Sequence, residues 1–308
     1  MSVKRRLVEL VVRYSTSRAL PLVFFLLTAI TTLHIGSLHA IYFQGLESTR
    51  DSFTLWQRFV FGLPFSLTIM TIVASHELGH YLTARRYRVS TSLPVFIPFP
   101  FSIIGTLGAF ILIRSPFPNR RSLIDIGLAG PLAGFIVCVP ALFIGIATSR
   151  PSVAAAAEGS MGLGEPLLLK AVAHWIWSEQ PNQDFTLSPV GLAAWFGLLL
   201  TAINLLPIGQ LDGGHTTYAL FREKAHRLSE LAFYALLPLS LLTPSWLFFA
   251  MFTYLLGIRR PHPPTMHDDA PLTMSRKILG IVGLLTFVLC FTPEPIKIGW
   301  REMIELLR

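Results

Sequence analysis

Charge is what this sequence has least of. Only 14% of its 308 residues are Asp, Glu, Lys or Arg, against about a quarter in an ordinary soluble domain. That shortage excludes a conventional water-soluble enzyme. Cysteine is nearly absent, and Cys138 and Cys290 stand singly in separate apolar runs. This excludes a disulfide framework or a zinc knuckle and leaves two packing residues. Internal repeats and low-complexity tracts are missing too. Acids are scarcer than bases, 17 against 25, for a net charge of +8. Such an excess suits nucleic acid, but the basic residues sit in short clusters beside apolar blocks, where orientation in a membrane explains them. No nucleic-acid partner is expected.

What the chain has is long apolar runs, with 52% hydrophobic residues and a mean hydropathy of +0.58. Several reach the roughly 20 residues that a helix needs to cross a bilayer. The expected class is an all-α, multi-pass integral membrane protein with about six spans and the lipid bilayer as its surroundings. The blocks are 19–43, about 57–84, 125–149, 188–207, 230–257 and 277–291. The first follows a basic N-terminus and reads as an uncleaved anchor. Block 230–257 is broken by Pro244 and reads as a kinked span or a short hairpin. Residues 92–115, rich in Pro, Gly and β-branched residues, fit a re-entrant segment or β-hairpin better than a helix. Trp175 and Trp177 in 167–177 suggest an interfacial helix, and the tail 296–308 looks amphipathic. Three regions follow: 1–56, a central membrane core 57–220, and C-terminal spans with the tail, 221–308. The basic clusters place the ends of the second and fourth blocks on one, cytoplasmic, side.

The second block ends in "IVASHELGHYLTARR", 72–86. Three titratable side chains inside an apolar span are costly and mark function. His76 and His80, four apart, share a helix face and can present imidazole nitrogens to one metal ion. Glu77 lies between them, the HExxH pattern in which the Glu serves as general base. A third ligand is needed. Asp212 follows the helix-ending Pro207 and precedes Gly213–Gly214, which let the backbone turn close to an ion. A "DGG" turn alone would be ordinary, but on the same membrane face as HExxH the ligand reading is stronger. Asp125 reads as a helix cap. His215 is a rival ligand, better read as structural. His34, His39, His174, His226, His262 and His267 lack a partner at metal-ligand spacing and carry no assigned role.

"HELGH" (76–80), "AGPLAG" (129–134) and "NLLPIGQLDGG" (204–214) together resemble the site-2 protease family of intramembrane zinc metalloproteases. The resemblance covers roughly 60–220, and 105–134 looks like the bacterial and plastid branch. It implies a three-helix core holding one zinc ion per chain. His76, His80 and Asp212 match the ligands, Glu77 the catalytic acid/base, and Asn204 the motif's Asn beside the site. Transmembrane proteins or peptides would be the substrates, and a bacterial inner membrane with the site toward the cytoplasm is the expected setting. Many relatives carry a PDZ or CBS domain, and the longest polar loop here is too short for either. Two other readings keep the same residues: a non-catalytic metal-binding membrane protein, or a metal transporter. CAAX-type peptidases are set aside because no E-x-x-x-D pair follows residue 80.

Overall fold

The computed structural model of the chain describes residues 19–151, 162–177, 185–255, 262–297 and 300. The basic N-terminal residues up to Arg18, the pair Arg259–Arg260 and all but three residues of the 296–308 tail lie outside this description.

Among the described residues, three helices are long and apolar enough to cross a membrane: α1 (Ala19–Gln44), α2 (Leu55–Arg86) and α3 (Arg120–Ala147). The other apolar blocks form shorter or more polar helices, so the expected six spans are only partly matched by length. These helices are α4 (Leu167–Ile176), α5 (Pro189–Leu205), α6 (Asp212–Phe221), α7 (Lys224–Leu242), α8 (Pro244–Leu255) and α9 (Met274–Cys290). The 230–257 block breaks at Thr243, whose backbone is extended, and α7 and α8 then pack on one another.

Helix starts follow local chemistry. Thr54 and Gln57 form a capping box ahead of α2, satisfying amides that the first turn leaves unpaired. Asn119 and Ser122 do the same for α3. This corrects the expectation that Asp125 caps that helix: Asp125 lies inside α3, a turn past its start.

Residues 92–115 form the expected hairpin. Strand β1 (Val95–Pro98) pairs antiparallel with β2 (Thr106–Phe110), with Val95 opposite Phe110 and a register irregularity after Phe96. Backbone bonds from Ser92 to Leu112 (2.9 Å) and from Arg114 to Ser90 (2.8 Å) extend the ladder. The turn rests on α1, where Thr31 Oγ1 donates to the Gly105 carbonyl at 2.7 Å and His39 Nε2 lies 2.7 Å from the Ile103 carbonyl. Two further pairs are minimal: β3 (Arg150–Pro151) with β5 (Phe185–Thr186), and β4 (Gly162–Leu163) with β6 (Ile296–Lys297).

The core lies where α2, α3 and α5 meet, around Phe65, Ile69, Leu142, Ile146, Trp195 and Phe196. Trp195 is fully buried and its indole N–H donates to the Gly164 carbonyl at 2.6 Å. A Cβ on Gly145 would stand 2.2 Å from the Gly191 Cα. Such contact between helix backbones is how apolar helices associate without a hydrophobic drive between them. Both cysteines are free and buried, as expected of packing residues.

Candidate metal centre

The HExxH segment lies on α2 about two turns before its end. One helical turn brings the His76 and His80 Nε2 atoms to 3.1 Å apart, with both residues buried. Helix α3 crosses behind them. His80 Nδ1 lies 2.7 Å from the Ile126 carbonyl oxygen. A carbonyl only accepts, so Nδ1 carries the proton and Nε2 turns its lone pair toward His76.

Asp212 arrives from 132 residues away. Helix α5 ends at Leu205, residues 206–211 turn the chain, and Asp212 opens α6. The turn is tight: a Cβ on Gly213 would sit 2.1 Å from the Leu205 carbonyl oxygen. This is why a glycine directly follows the acid. Asp212 Oδ2 is 3.2 Å from His80 Nε2 and 3.3 Å from His76 Nε2.

Three donor atoms thus form a triangle with sides of 3.1 to 3.3 Å. Ligands about 2.0–2.1 Å from a tetrahedral zinc are separated by roughly 3.3 Å, so the donor set fits that ion in spacing and in chemistry. With both imidazoles neutral, three electron-pair donors face one another. A proton can satisfy one pair of them; a divalent cation satisfies all three. His76, His80 and Asp212 are positioned to hold a metal ion, the one such group of three or more among the described residues.

Glu77 is buried at 5% exposure, close enough to His76, His80 and Asp212 for its charge to act on all three. Asn204, on the last turn of α5, has its amide nitrogen 3.4 Å from His76 Nε2. His215 is not part of the triangle. Its ring meets His262 edge-on at a centroid distance of 4.8 Å, beside Phe117. Burial pushes its imidazole down to about 3 and that of His262 down to about 4, so both are neutral near pH 7. His262, which the sequence left without a role, is buried beneath Tyr218. Asp125 instead takes a hydrogen bond from the Tyr87 hydroxyl and an ion pair from Arg276.

Spacing in the sequence did not indicate the Ile126 carbonyl or Gly130. The signal available was the small-residue run "AGPLAG": a Cβ on Gly130 would fall 2.0 Å from His80 Nε2, and one on Gly79 would fall 2.3 Å from the Ala129 carbonyl. The small residues let α3 close onto the histidine-bearing face of α2.

Residues 64–243 match the family model described as Peptidase family M50. The probable zinc metalloprotease EGY1, chloroplastic, of Arabidopsis thaliana is 32% identical over 249 residues, 79% of this chain and 44% of the relative. Its namesake in Oryza sativa subsp. japonica is 31% identical over 253 residues, 79% of this chain and 42% of the relative. The probable zinc metalloprotease EGY2, chloroplastic, of Arabidopsis thaliana is 30% identical over 286 residues, 90% and 49% of the two chains. The chain spans less than half the length of these curated relatives. All three are named chloroplastic, which gives no support to the bacterial inner membrane expected from the sequence.

Proposed function

The chain belongs to peptidase family M50, and from that premise we propose that it is an intramembrane zinc endopeptidase, cutting peptide bonds within or near transmembrane segments of other proteins. The observation that carries this reading is the convergence of His76, His80 and Asp212 within 3.3 Å, with Glu77 buried beside them, toward the end of a membrane-length helix.

In this reading His76, His80 and Asp212 would hold the zinc. When bound, zinc brings the pKa of a coordinated water down to about 7 and polarises a carbonyl. Glu77 takes the proton from the attacking water, keeps it while the C–N bond weakens, and passes it to the leaving amine. Burial of Glu77 keeps bulk water from competing for that proton. Asn204 is placed to donate a hydrogen bond to the substrate carbonyl or to the charge that develops on it. The alternatives, a non-catalytic metal-binding protein or a transporter, leave Glu77 without work, because metal retention needs only the three donors.

The shorter helices α5 and α9, with α7 and α8 together as one kinked pass, complete a set of about six membrane passes around a core of α2, α3 and α5. The basic clusters after α2 and around α3 orient the site toward the cytoplasm or its plastid counterpart, the stroma. The relatives' names support a plastid membrane over a bacterial one. A transmembrane substrate hides its peptide bonds in its helix, so it must unwind to be cut. The two-stranded β1–β2 sheet offers an edge on which an extended segment can lie.

Glu77→Gln in the full chain tests the reading. Zinc should stay bound, while cleavage of a membrane-protein reporter falls by about 10² to 10⁴. Persistent cleavage would refute the assigned mechanism, and uncut transmembrane fragments accumulating in the variant's membranes would name the substrates.

A further inference from the structure

The two metal-bearing helices make almost no direct contact. Among the described residues, α2 and α6 each pack on α3 rather than on each other. The triangle of donors therefore depends on how firmly α3 is tied to both. Ordinary helix packing permits sliding of an ångström or so, which is a large fraction of a metal–ligand bond.

One segment makes both ties. Residues 265–276, the stretch that leads into α9 together with the first residues of that helix, run across the ends of α2, α3 and α6. Met266 N–H donates to the Phe117 carbonyl at 2.9 Å, and His267 N–H to that of Pro118 at 3.0 Å. Arg120 donates to the Ala270 carbonyl from one arm and to Ala219, on α6, from the other, both at 3.1 Å. Two side chains anchor the segment to the site. Asp268 accepts from the Tyr218 hydroxyl at 2.6 Å, six residues beyond Asp212 on α6. Arg276 sets two guanidinium nitrogens on the Asp125 Oδ2, at 2.7 and 3.2 Å, and donates to the Tyr87 hydroxyl at 3.0 Å. Tyr87 also donates to Asp125.

The second anchor acts on a named metal-facing atom. Tyr87 closes α2, seven residues after His80. Asp125 immediately precedes Ile126, whose carbonyl holds His80 Nδ1. Arg276 thus bolts α2 to α3 one residue from the contact that aims His80 Nε2. Asp125 and Arg276 are only 19% and 26% exposed at their side chains, so the pair is shielded in a way that surface pairs are not. The family model's match ends at residue 243, before this segment begins.

We propose that residues 265–276 form a strap that holds the metal centre in register, with Arg276 and Asp268 as positioning residues for His80 and Asp212. This rests on the zinc reading above. The strap sets how tightly the three donors close, and so the metal affinity; it does not touch substrate.

The test is zinc affinity of the full-length protein in lipid nanodiscs, read by competition with a chromogenic chelator, with thermal unfolding measured at saturating zinc. Comparable changes around metal ligands typically weaken binding by about 10- to 100-fold. Arg276→Gln should weaken zinc binding by about tenfold and speed its release. Arg276→Lys should recover part of the loss, and Asp268→Asn, the gentler second variant, should weaken binding severalfold. At saturating zinc the variant's unfolding temperature should lie below that of wild type by no more than its weaker affinity accounts for. Unchanged zinc affinity in both Arg276→Gln and Asp268→Asn overturns the strap and leaves the zinc reading standing. So does a lowered unfolding temperature at saturating zinc without a change in affinity, because that is the signature of a merely structural contact. A wild-type protein that binds no zinc refutes the functional reading and the strap with it.

Discussion

Gly130 faces His80 so closely that a single added methyl would fall 2.0 Å from Nε2 and 2.5 Å from Cε1. The ring cannot step aside, because its Nδ1 is held by the Ile126 carbonyl and its neighbours are packed helices. Gly130→Ala should therefore displace the Nε2 lone pair from the other donors and weaken zinc binding by on the order of a hundredfold. Gly134 is the internal control. A Cβ there would meet the His76 Cβ at 3.3 Å, a distance that small adjustments absorb, so Gly134→Ala should cost less than tenfold. Chelator competition on the two variants gives the comparison. Equal effects would mean that α3 merely packs on α2 and does not aim His80.

Removing metal should be felt in stability as well as activity. Without a cation, Asp212 and two imidazole nitrogens crowd within 3.3 Å in a buried setting. A ligand at a thousand times its dissociation constant stabilises the folded form by about 4 kcal/mol. Adding zinc to chelator-stripped protein should raise its unfolding temperature by several degrees, and Asp212→Ala should abolish most of that gain. A wild-type unfolding temperature that ignores zinc would argue against a metal held by these three residues.

Acid should loosen the protein through two histidines that are not among the three donors. Burial holds His262 at about 4 and His215 at about 3, below the ordinary 6.5. Between the folded and unfolded values the unfolded chain binds more protons, so stability rises with pH across that window. Their contribution is fully present above about pH 6.5 and is lost as pH falls toward 4. Asp268 adds a lower window. Burial alone would raise its carboxyl, but hydrogen bonds from Thr265 and Tyr218 bring it below the usual range, so its contribution is lost only in stronger acid. Phe at position 262 keeps the ring stack with Tyr218 and cannot protonate. His262→Phe should flatten the decline in unfolding temperature between pH 6.5 and 4.5; an unaltered slope would mean that His262 is not a source of it.

How much of this was legible follows from where each interaction sits in the chain. His76, Glu77 and His80 share one helical turn, so their spacing alone puts them on one face. Asp212 is 132 residues further on, yet Pro207 and the glycines after the acid mark the turn locally. The cap of α3 was also local, because Asn119 and Ser122 have capping-box spacing, but the apolar run drew attention to Asp125. Asp125's true partner, Arg276, lies 151 residues away. A pairing over that distance leaves no periodic or compositional trace, and neither does the burial of His262 against Tyr218. Span number is only partly legible for a related reason: apolar composition announces burial in something, and α5, buried largely in protein around Trp195 and Phe196, is shorter than a helix that crosses on length alone.

The β1–β2 hairpin allows a test of how substrate is held. Strand β1 lies chiefly against α1, and β2, which also touches α2, is the other strand of the two-stranded sheet. Along β2, Thr106 and Gly108 are buried while Leu107 between them is exposed at 49%. Period-two alternation of this kind presents side chains to a neighbour on one face while the backbone edge runs between them. An unwound substrate segment pairing there would satisfy backbone groups that have no water to turn to at membrane depth. Hydrogen exchange on the Glu77→Gln protein, with and without a bound transmembrane substrate, should show added protection at 106–110 and little change in β1. Leu107→Pro removes one donor from that strand and should raise KM for a transmembrane reporter by about tenfold, leaving zinc affinity unaltered. Protection that does not change on substrate binding would reduce the hairpin to a cover over the site.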